Sequence, residues 1–255
     1  MIDFIVPVHN HWKTTAVCIA SILKSNIPYP YKIHVIDDVS TDYTPSFLLH
    51  LKKEGHPIKI YTNEENIGYV GSTNKVLENL SSPYIFFMNN DIFVDKQCIL
   101  TLLGVFDGLK DIGVLGGCQC DQQWNPVAPL KFFLRGENAT IRDHIAVSQI
   151  PENLKEADVI YCDDVHFACA LTSKKVVDKV GLLDNAFAPG NYDQEDYCLR
   201  VKEASYQVGV CPRAKFIHYG SVSVSDNLAY YSKILDRNRQ IFFDKWGEKL
   251  RQNLV

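Results

Sequence analysis

Few folds can accommodate the order of this chain's first ninety residues, where short apolar runs alternate with helical patterns. Residues 2–8 (IDFIVPV), 32–37 (KIHVID), 58–62 and 84–88 (YIFFM) are expected strands. Between them, residues 13–25 place Val17, Ile19, Ile22 and Leu23 at helical spacing, and further helices are expected near 43–53 and 71–80. Strands so continuously apolar are covered on both faces, which predicts an α/β fold with a mostly parallel central sheet flanked by helices. In such sheets ligands bind beyond the carboxyl ends of the strands. The polar groups fall there: His9 and Asn10, Asp37 and Asp38, Asn66, and Asn89 to Asp91. One such cluster is ordinary turn chemistry; four in register predict one site.

The 255 residues suit one large domain or one and a half small ones, and the single-domain reading has a first half over 1–95 and a second half with a closing helix over 96–255. A hydrophobic content of 46% against 22% charged residues excludes a disordered chain. With a net charge of -4, no general attraction to nucleic acid or anionic membrane is implied. A phosphate site on this chain therefore needs a divalent cation or a local basic cluster. No apolar run approaches the roughly 18 residues that span a bilayer, and the start, MIDFIVPVHN, lacks the basic region of a signal peptide. The expected location is cytoplasmic. The eight cysteines are scattered, and the one close pair, Cys118 and Cys120, does not have C-x-x-C spacing. Buried, reduced thiols are the expected state.

The second half is less regular. Residues 121–160 show no periodicity and are expected to form an irregular, acceptor-side region. A strand near 165–172, a helix over 173–180, a loop at 184–194, a helix at about 195–205 and strand segments at 207–211 and 215–219 follow. Residues 228–250 read as an amphipathic helix whose Trp246 either packs on the core or touches a membrane surface.

Several residues carry candidate chemistry. Asn89-Asn90-Asp91 ends a buried strand, where a carboxylate can hold Mg²⁺ or Mn²⁺ beside phosphate oxygens; a plain Asn-Asn-Asp turn is the alternative. Asp37 and Asp38 can accept the imide N–H of a pyrimidine base, or Asp38, Ser40 and Asp42 can cap the next helix. The run Asn66-Ile-Gly68-Tyr-Val-Gly71 offers small residues for close approach of a nucleotide, without being a G-x-G-x-x-G or Walker motif. Residues 189–196 (PGNYDQED) gather three carboxylates at a helix start, available to deprotonate an acceptor hydroxyl or simply favoured by the helix dipole. Asp196 and Arg200 stand at ion-pair spacing. His218 can complete a metal shell if it faces Asp91.

In order, IVPVHN, VIDDVSTD, NIGYVGSTN, FFMNND, KVGLLDNAF, NYDQEDYCLR and FIHYGS resemble the inverting glycosyltransferases of family 2, which have the GT-A fold. The resemblance covers about residues 2–220 and extends to rhamnosyltransferase-like enzymes of bacterial surface polysaccharide synthesis. It implies a nucleotide sugar donor (UDP- or dTDP-linked), Mn²⁺ or Mg²⁺, and a glycan or lipid-linked acceptor. The last of these would bring the protein to the inner membrane face. By the same resemblance Pro7, His9, Asn10, Asp37, Asp38, Asn66, Gly68, Asn74 and Asn90 line the nucleotide, with Asp91 and His218 as metal ligands. Asn89 lies near the sugar or ribose, and Trp124, Asp164 and His166 are donor-sugar or acceptor contacts. The departure is in the catalytic loop. Alignment on Asp196-Tyr-Cys-Leu-Arg200 puts Gln194 where the family has its base, and an amide cannot accept that proton. The role then falls to Glu195 first, Asp193 second, with Asp196 also in the loop, or Gln194 marks a disabled, binding-only module. A sugar-1-phosphate nucleotidylyltransferase is the other alternative, but HNHWKT is not the Gly-rich basic loop that it needs.

Overall fold

A computed structural model describes residues 1–127, 130–133, 144–147, 150, 152–220 and 228–252. The elements run β1 (Ile2–Val8), α1 (Trp12–Leu23), β2 (Tyr31–Asp37), α2 (Thr44–Lys53), β3 (Ile58–Thr62), α3 (Gly68–Leu77), β4 (Tyr84–Met88) and β5 (Ile92–Val94). Then follow α4 (Cys98–Gly108), β6 (Ile112–Cys120), β7 (Leu130–Phe133), β8 (His144–Val147), β9 (Ile160–Tyr161), β10 (Cys169–Ser173) and α5 (Lys174–Val180). α6 (Asp193–Glu203), β11 (Gln207–His218) and α7 (Leu228–Arg251) close the chain.

The nine-stranded sheet has the order β3-β2-β1-β4-β10-β6-β11-β5, with β9 also on β11. β1 to β4 are mutually parallel, β10 runs against β4 and β6, and β11 is parallel to β6 but antiparallel to β5. The expected mostly parallel sheet is therefore present, with β10 reversed at its centre. β7 and β8 form a separate antiparallel pair inside the region expected to be irregular.

Both faces of the sheet are covered, as the continuous apolar strands require. Phe4, Val6, Val8, Ile33 and Val35 pack on one side against α1, α2 and α4. Ile5, Ile36 and Phe87 pack on the other against α3, α5 and α6. There Phe87 stacks on Phe167 with ring centroids 4.6 Å apart, and both meet Tyr197 edge-on. Each such pair contributes about 0.5–1.5 kcal/mol beyond its buried area. The triplet fixes the end of β4, the segment before β10 and the start of α6 as one block.

Boundaries differ from the sequence expectations for identifiable reasons. α3 begins at Gly68 rather than 71, because the distant Asp38 carboxylate accepts the N–H groups of Ile67 and Gly68 at the helix start. α6 begins at Asp193 rather than 195, with three acids in its first turn. Strand β10 begins only at Cys169. The two expected segments at 207–211 and 215–219 are one strand, β11, whose register shifts between Cys211 and Lys215 around Pro212. A bulge is how a sheet accepts a residue that cannot donate to the ladder. α4, β5 and β6 have no counterpart in the sequence expectations.

α7 packs through Phe242, Trp246 and Leu250 on Phe187 and Leu199. Trp246 is fully buried and its Nε1 donates to Asp196 Oδ1 at 2.8 Å. It therefore belongs to the core and is withdrawn from any membrane surface. No helix among the described residues is long and apolar enough to cross a membrane. All eight cysteines are buried free thiols, as expected.

Candidate active site

The carboxyl ends of β1, β2, β4, β6 and β11 converge on one rim of the sheet, and the polar clusters come with them. Beyond β1, Asn10 and His11 take left-handed backbone conformations (φ 58° and 59°). This sharp turn lets Asn10 Oδ1 accept the N–H groups of Thr41 (2.7 Å) and Asp42 (3.2 Å), while its own N–H donates to Ser40 Oγ. His9 Nδ1 donates to the Asp38 carbonyl oxygen at 2.6 Å, and Pro7 sits half-buried near the end of β1. Asp37 Oδ1 accepts the Ser40 N–H. Asp42 does cap α2, through the Thr44 N–H at 2.9 Å.

Asp38 is a junction. Its Oδ1 accepts from Asn63 Nδ2 (2.8 Å) and the Ile67 N–H (3.0 Å), and its Oδ2 from the Gly68 N–H (2.8 Å). Gly68 has φ +68°, and a Cβ there would lie 2.2 Å from Pro189 Cβ. The close approach expected of a nucleotide at Gly68 is made instead by the protein's own Pro189. Asn74 is likewise turned elsewhere: its amide brackets the loop after α5, bonding the Leu183 N–H and C=O and Asn185 Oδ1. Asn66 is exposed, with Nδ2 3.4 Å from His9 Nδ1.

The antiparallel pairing of β5 with β11 sets His218 opposite Ile92. His218 Nε2 lies 3.0 Å from Asp91 Oδ1, both groups are largely buried, and Asn89 Nδ2 is 3.3 Å from the same nitrogen. The two residues read from sequence as metal ligands are thus brought together. Asn90 Nδ2 instead donates to Thr15 Oγ1 of α1. The His166 ring lies 5.2 Å from that of His218, and its Nδ1 accepts the Ala168 N–H. Among the described residues, no group of three or more His, Cys, Asp or Glu side chains forms a metal cage. One carboxylate and one imidazole still fit a hard divalent cation whose other positions are taken by water and phosphate oxygens. Trp124, half-buried with φ 64°, meets Phe93 edge-on.

In the acid loop the four residues of the DQED run have distinct surroundings. Asp193 is nearly enclosed; burial, then Glu195 beside it, pushes its carboxyl up to about 7. Glu195 is half-buried. Gln194 is a brace: its Oε1 accepts the Phe167 N–H at 3.2 Å and its Nε2 faces Asp164 Oδ2 at 3.4 Å. Asp196 is fully buried and turned to α7, held by Arg200 Nε (2.8 Å), Lys245 Nζ (2.7 Å) and the Trp246 indole. These bonds anchor the closing helix. The Asp196–Arg200 ion pair expected from spacing is present, as part of that larger anchor.

Sequence reasoning missed the polar ladder from α7. Tyr231, Arg237, Asn238 and Lys245 all bond the segment 184–196. The signal was available in Asn238, one polar residue in the i, i+4 stripe Ile234, Asn238, Phe242, Trp246, Leu250. A polar group on an apolar stripe must find partners inside.

In comparisons with known proteins, the family model described as "Glycosyl transferase family 2" matches residues 3–181, most of the chain. Glycosyltransferase GlyA of Streptococcus pneumoniae serotype 4 is 30% identical over 101 residues, 40% of this chain and 14% of that protein. Among solved structures, S. aureus TarS 1–349 in complex with UDP-GlcNAc superposes with a TM-score of 0.63 at 14% identity, over 89% of this chain and 61% of that one. The mannosyltransferase PcManGT of Pyrobaculum calidifontis, in complex with GDP-Man and Mn²⁺, gives 0.61 at 15% identity, over 87% and 57% of the two chains. The structural likenesses show the GT-A fold, and the chain spans less than two thirds of each of these relatives. The match over residues 3–181 settles the family: the chain belongs to glycosyl transferase family 2.

Proposed function

We propose that this chain is a metal-dependent, inverting glycosyltransferase. It moves a sugar from a UDP- or dTDP-linked donor to a hydroxyl of a glycan or lipid-linked acceptor in surface polysaccharide synthesis, at the cytoplasmic side of the membrane. The observation that carries the reading is the meeting of Asp91 and His218, 3.0 Å apart, on the same sheet rim as the Asp38 junction. UDP-GlcNAc and GDP-Man in the structures of TarS and PcManGT support a nucleotide sugar as donor, and Mn²⁺ in the latter supports a divalent ion. Asp91 and His218 hold that ion, which supplies the positive charge that stabilises a departing diphosphate.

The chain's own residues do the rest. Asp38 keeps accepting capacity beyond its three bonds, which supports its role as acceptor for a pyrimidine imide N–H. Pro7 and the His9–Asn10 turn form the wall beside it. Trp124, Asp164 and His166 serve as the donor-sugar or acceptor contacts. The acceptor's proton goes to the Asp193–Glu195 pair, where burial first and the neighbouring Glu195 second raise the Asp193 carboxyl. A carboxyl held near neutrality is well matched to general-base work at physiological pH. Gln194 leaves this pair its role while tying α6 to the strand rim.

The binding-only alternative rests on Gln194, the amide at the family's base position. The nucleotidylyltransferase alternative has no support in the turn after β1, whose Asn10 is committed to the Ser40–Asp42 loop. A panel of UDP-, dTDP- and GDP-sugars, assayed for donor hydrolysis and transfer with Mn²⁺ and with EDTA, separates the readings. Metal-dependent release of one nucleotide supports the enzyme. Metal-dependent binding without release by the wild type, at any acceptor tried, favours the binding module.

A further inference from the structure

The acid loop is held from α7 as well as by its own turns. Residues 184–196 lie beyond the family match, and the carbonyls of Phe187, Ala188, Gly190 and Asn191 turn to α7. Asn238 is fully buried and its Nδ2 is within hydrogen-bond distance of three of those carbonyls: Phe187 at 2.7 Å, Gly190 at 2.8 Å and Asn191 at 3.0 Å. Arg237 donates to Asn238 Oδ1 and also to the Ala188 carbonyl, and Tyr231 Oη donates to Asn191 Oδ1 at 2.8 Å. Asn191 and Tyr192 are both left-handed, at φ 74° and 63°. Two consecutive non-glycine residues in that region are costly and persist only when neighbours enforce them. The enforced segment ends at Asp193. At its other end Pro189 covers Gly68 and accepts the Val70 N–H at 3.1 Å. Gly68 is in turn held by Asp38.

We propose that Asn238 is a positioning residue for sugar transfer: from α7 it clamps the 187–191 turn, and so sets the Asp193–Glu195 pair against the donor side of the site. The carboxamide is specific to this task. It supplies N–H groups to the buried Phe187 carbonyl and to the part-buried carbonyls of Gly190 and Asn191, and without them the Phe187 carbonyl carries a desolvation penalty. This inference rests on the glycosyltransferase reading for its kinetic consequence, but not for its structural one.

The test compares Asn238→Ala and Asn238→Asp with Leu250→Ala, a control that thins the apolar contact of α7 with Phe187 and Leu199 but removes none of the hydrogen bonds to the turn. Hydrogen–deuterium exchange over 187–196 is followed in each full-length protein, together with UDP binding in Mn²⁺ and turnover of whichever donor the wild type uses. The expected result is faster exchange confined to 187–196 in both Asn238 variants. With it comes a kcat loss of about 10- to 100-fold and an unchanged dissociation constant for UDP. Asn238→Asp, which points an oxygen at three carbonyls, is the worse of the two. Leu250→Ala loses thermal stability but keeps kcat per folded molecule. Unchanged exchange at 187–196 in Asn238→Ala overturns the clamp, as does a kcat loss shared equally by Leu250→Ala. If the wild type turns over no donor, the functional reading fails, and the exchange data alone decide whether the clamp exists.

Discussion

Replacing Gln194 by a glutamate puts the family's expected acid where this chain carries an amide, and the surroundings dictate the outcome. The new carboxylate takes the place of a donor 3.4 Å from Asp164 Oδ2. Two like charges at that separation repel by about 5 kcal/mol at an effective dielectric near 20. One carboxyl therefore stays protonated well above its usual range, and at higher pH the pair separates. One oxygen can still accept the Phe167 N–H, so the loss is one donated bond plus repulsion. We expect a destabilisation of about 1–3 kcal/mol at pH 8, or roughly 2–10 °C in midpoint for a chain of this size. Because the folded state raises the acid's pKa, stability is retained at low pH and lost as pH rises. The deficit should shrink at pH 5, where the introduced carboxyl, once protonated, donates to Asp164 as the amide does. Thermal unfolding of both proteins at pH 5 and pH 8 measures it. A variant as stable as the wild type at pH 8, or one whose deficit ignores pH, refutes the brace.

Other consequences follow from single contacts. Asp193, raised to about 7 by burial and Glu195, disfavours the folded state progressively as pH climbs from about 4 to about 7. Asp193→Asn should flatten that part of the stability–pH curve, and an unchanged slope counts against its enclosure. Gly68→Ala forces a Cβ into Pro189 at a positive φ, so both folding and UDP affinity should fall, read by thermal melts and calorimetry. Trp246→Phe keeps an aromatic ring at this buried position but removes the indole donor to Asp196 and leaves a void. It should cost about 1–3 kcal/mol, seen in urea unfolding as a lower midpoint with an unchanged slope.

The half of the fold that carries regular βα alternation was legible in the sequence. Its strands are buried on both faces and its helices are amphipathic, so period alone separates them. The rest was hidden by residues whose reasons are tertiary. β6 contains Gly113 and Gly116, which read as turn residues. Added Cβ atoms there would meet Val201 Cγ1 at 2.5 Å and Val165 Cβ at 2.9 Å, so these glycines admit close packing. α4 buries Cys98, Ile99, Leu102, Leu103, Val105 and Phe106, too much of its circumference to show a clean stripe. In the site, the Asp91–His218 meeting was anticipated from residue type and from the family resemblance, and the pairing of β5 with β11 brings the two together. The contacts of Asp196, Gly68 and Asn74 with Trp246, Pro189 and Leu183 were not legible, because those partners lie far off in sequence. A motif specifies which side chains are present; the long-range bonds decide which of them remain for substrate.

The proposed chemistry depends above all on Asp91 and His218 acting as the metal-dependent anchor for a nucleoside diphosphate. Calorimetric titration of UDP, dTDP and GDP into the wild type, Asp91→Ala and His218→Ala, in Mn²⁺ and in EDTA, puts that anchor to the test. The expected result is UDP or dTDP binding that needs Mn²⁺, vanishes in Asp91→Ala and weakens by about tenfold or more in His218→Ala. Nucleotide binding that is equally tight in EDTA and in Asp91→Ala would contradict it.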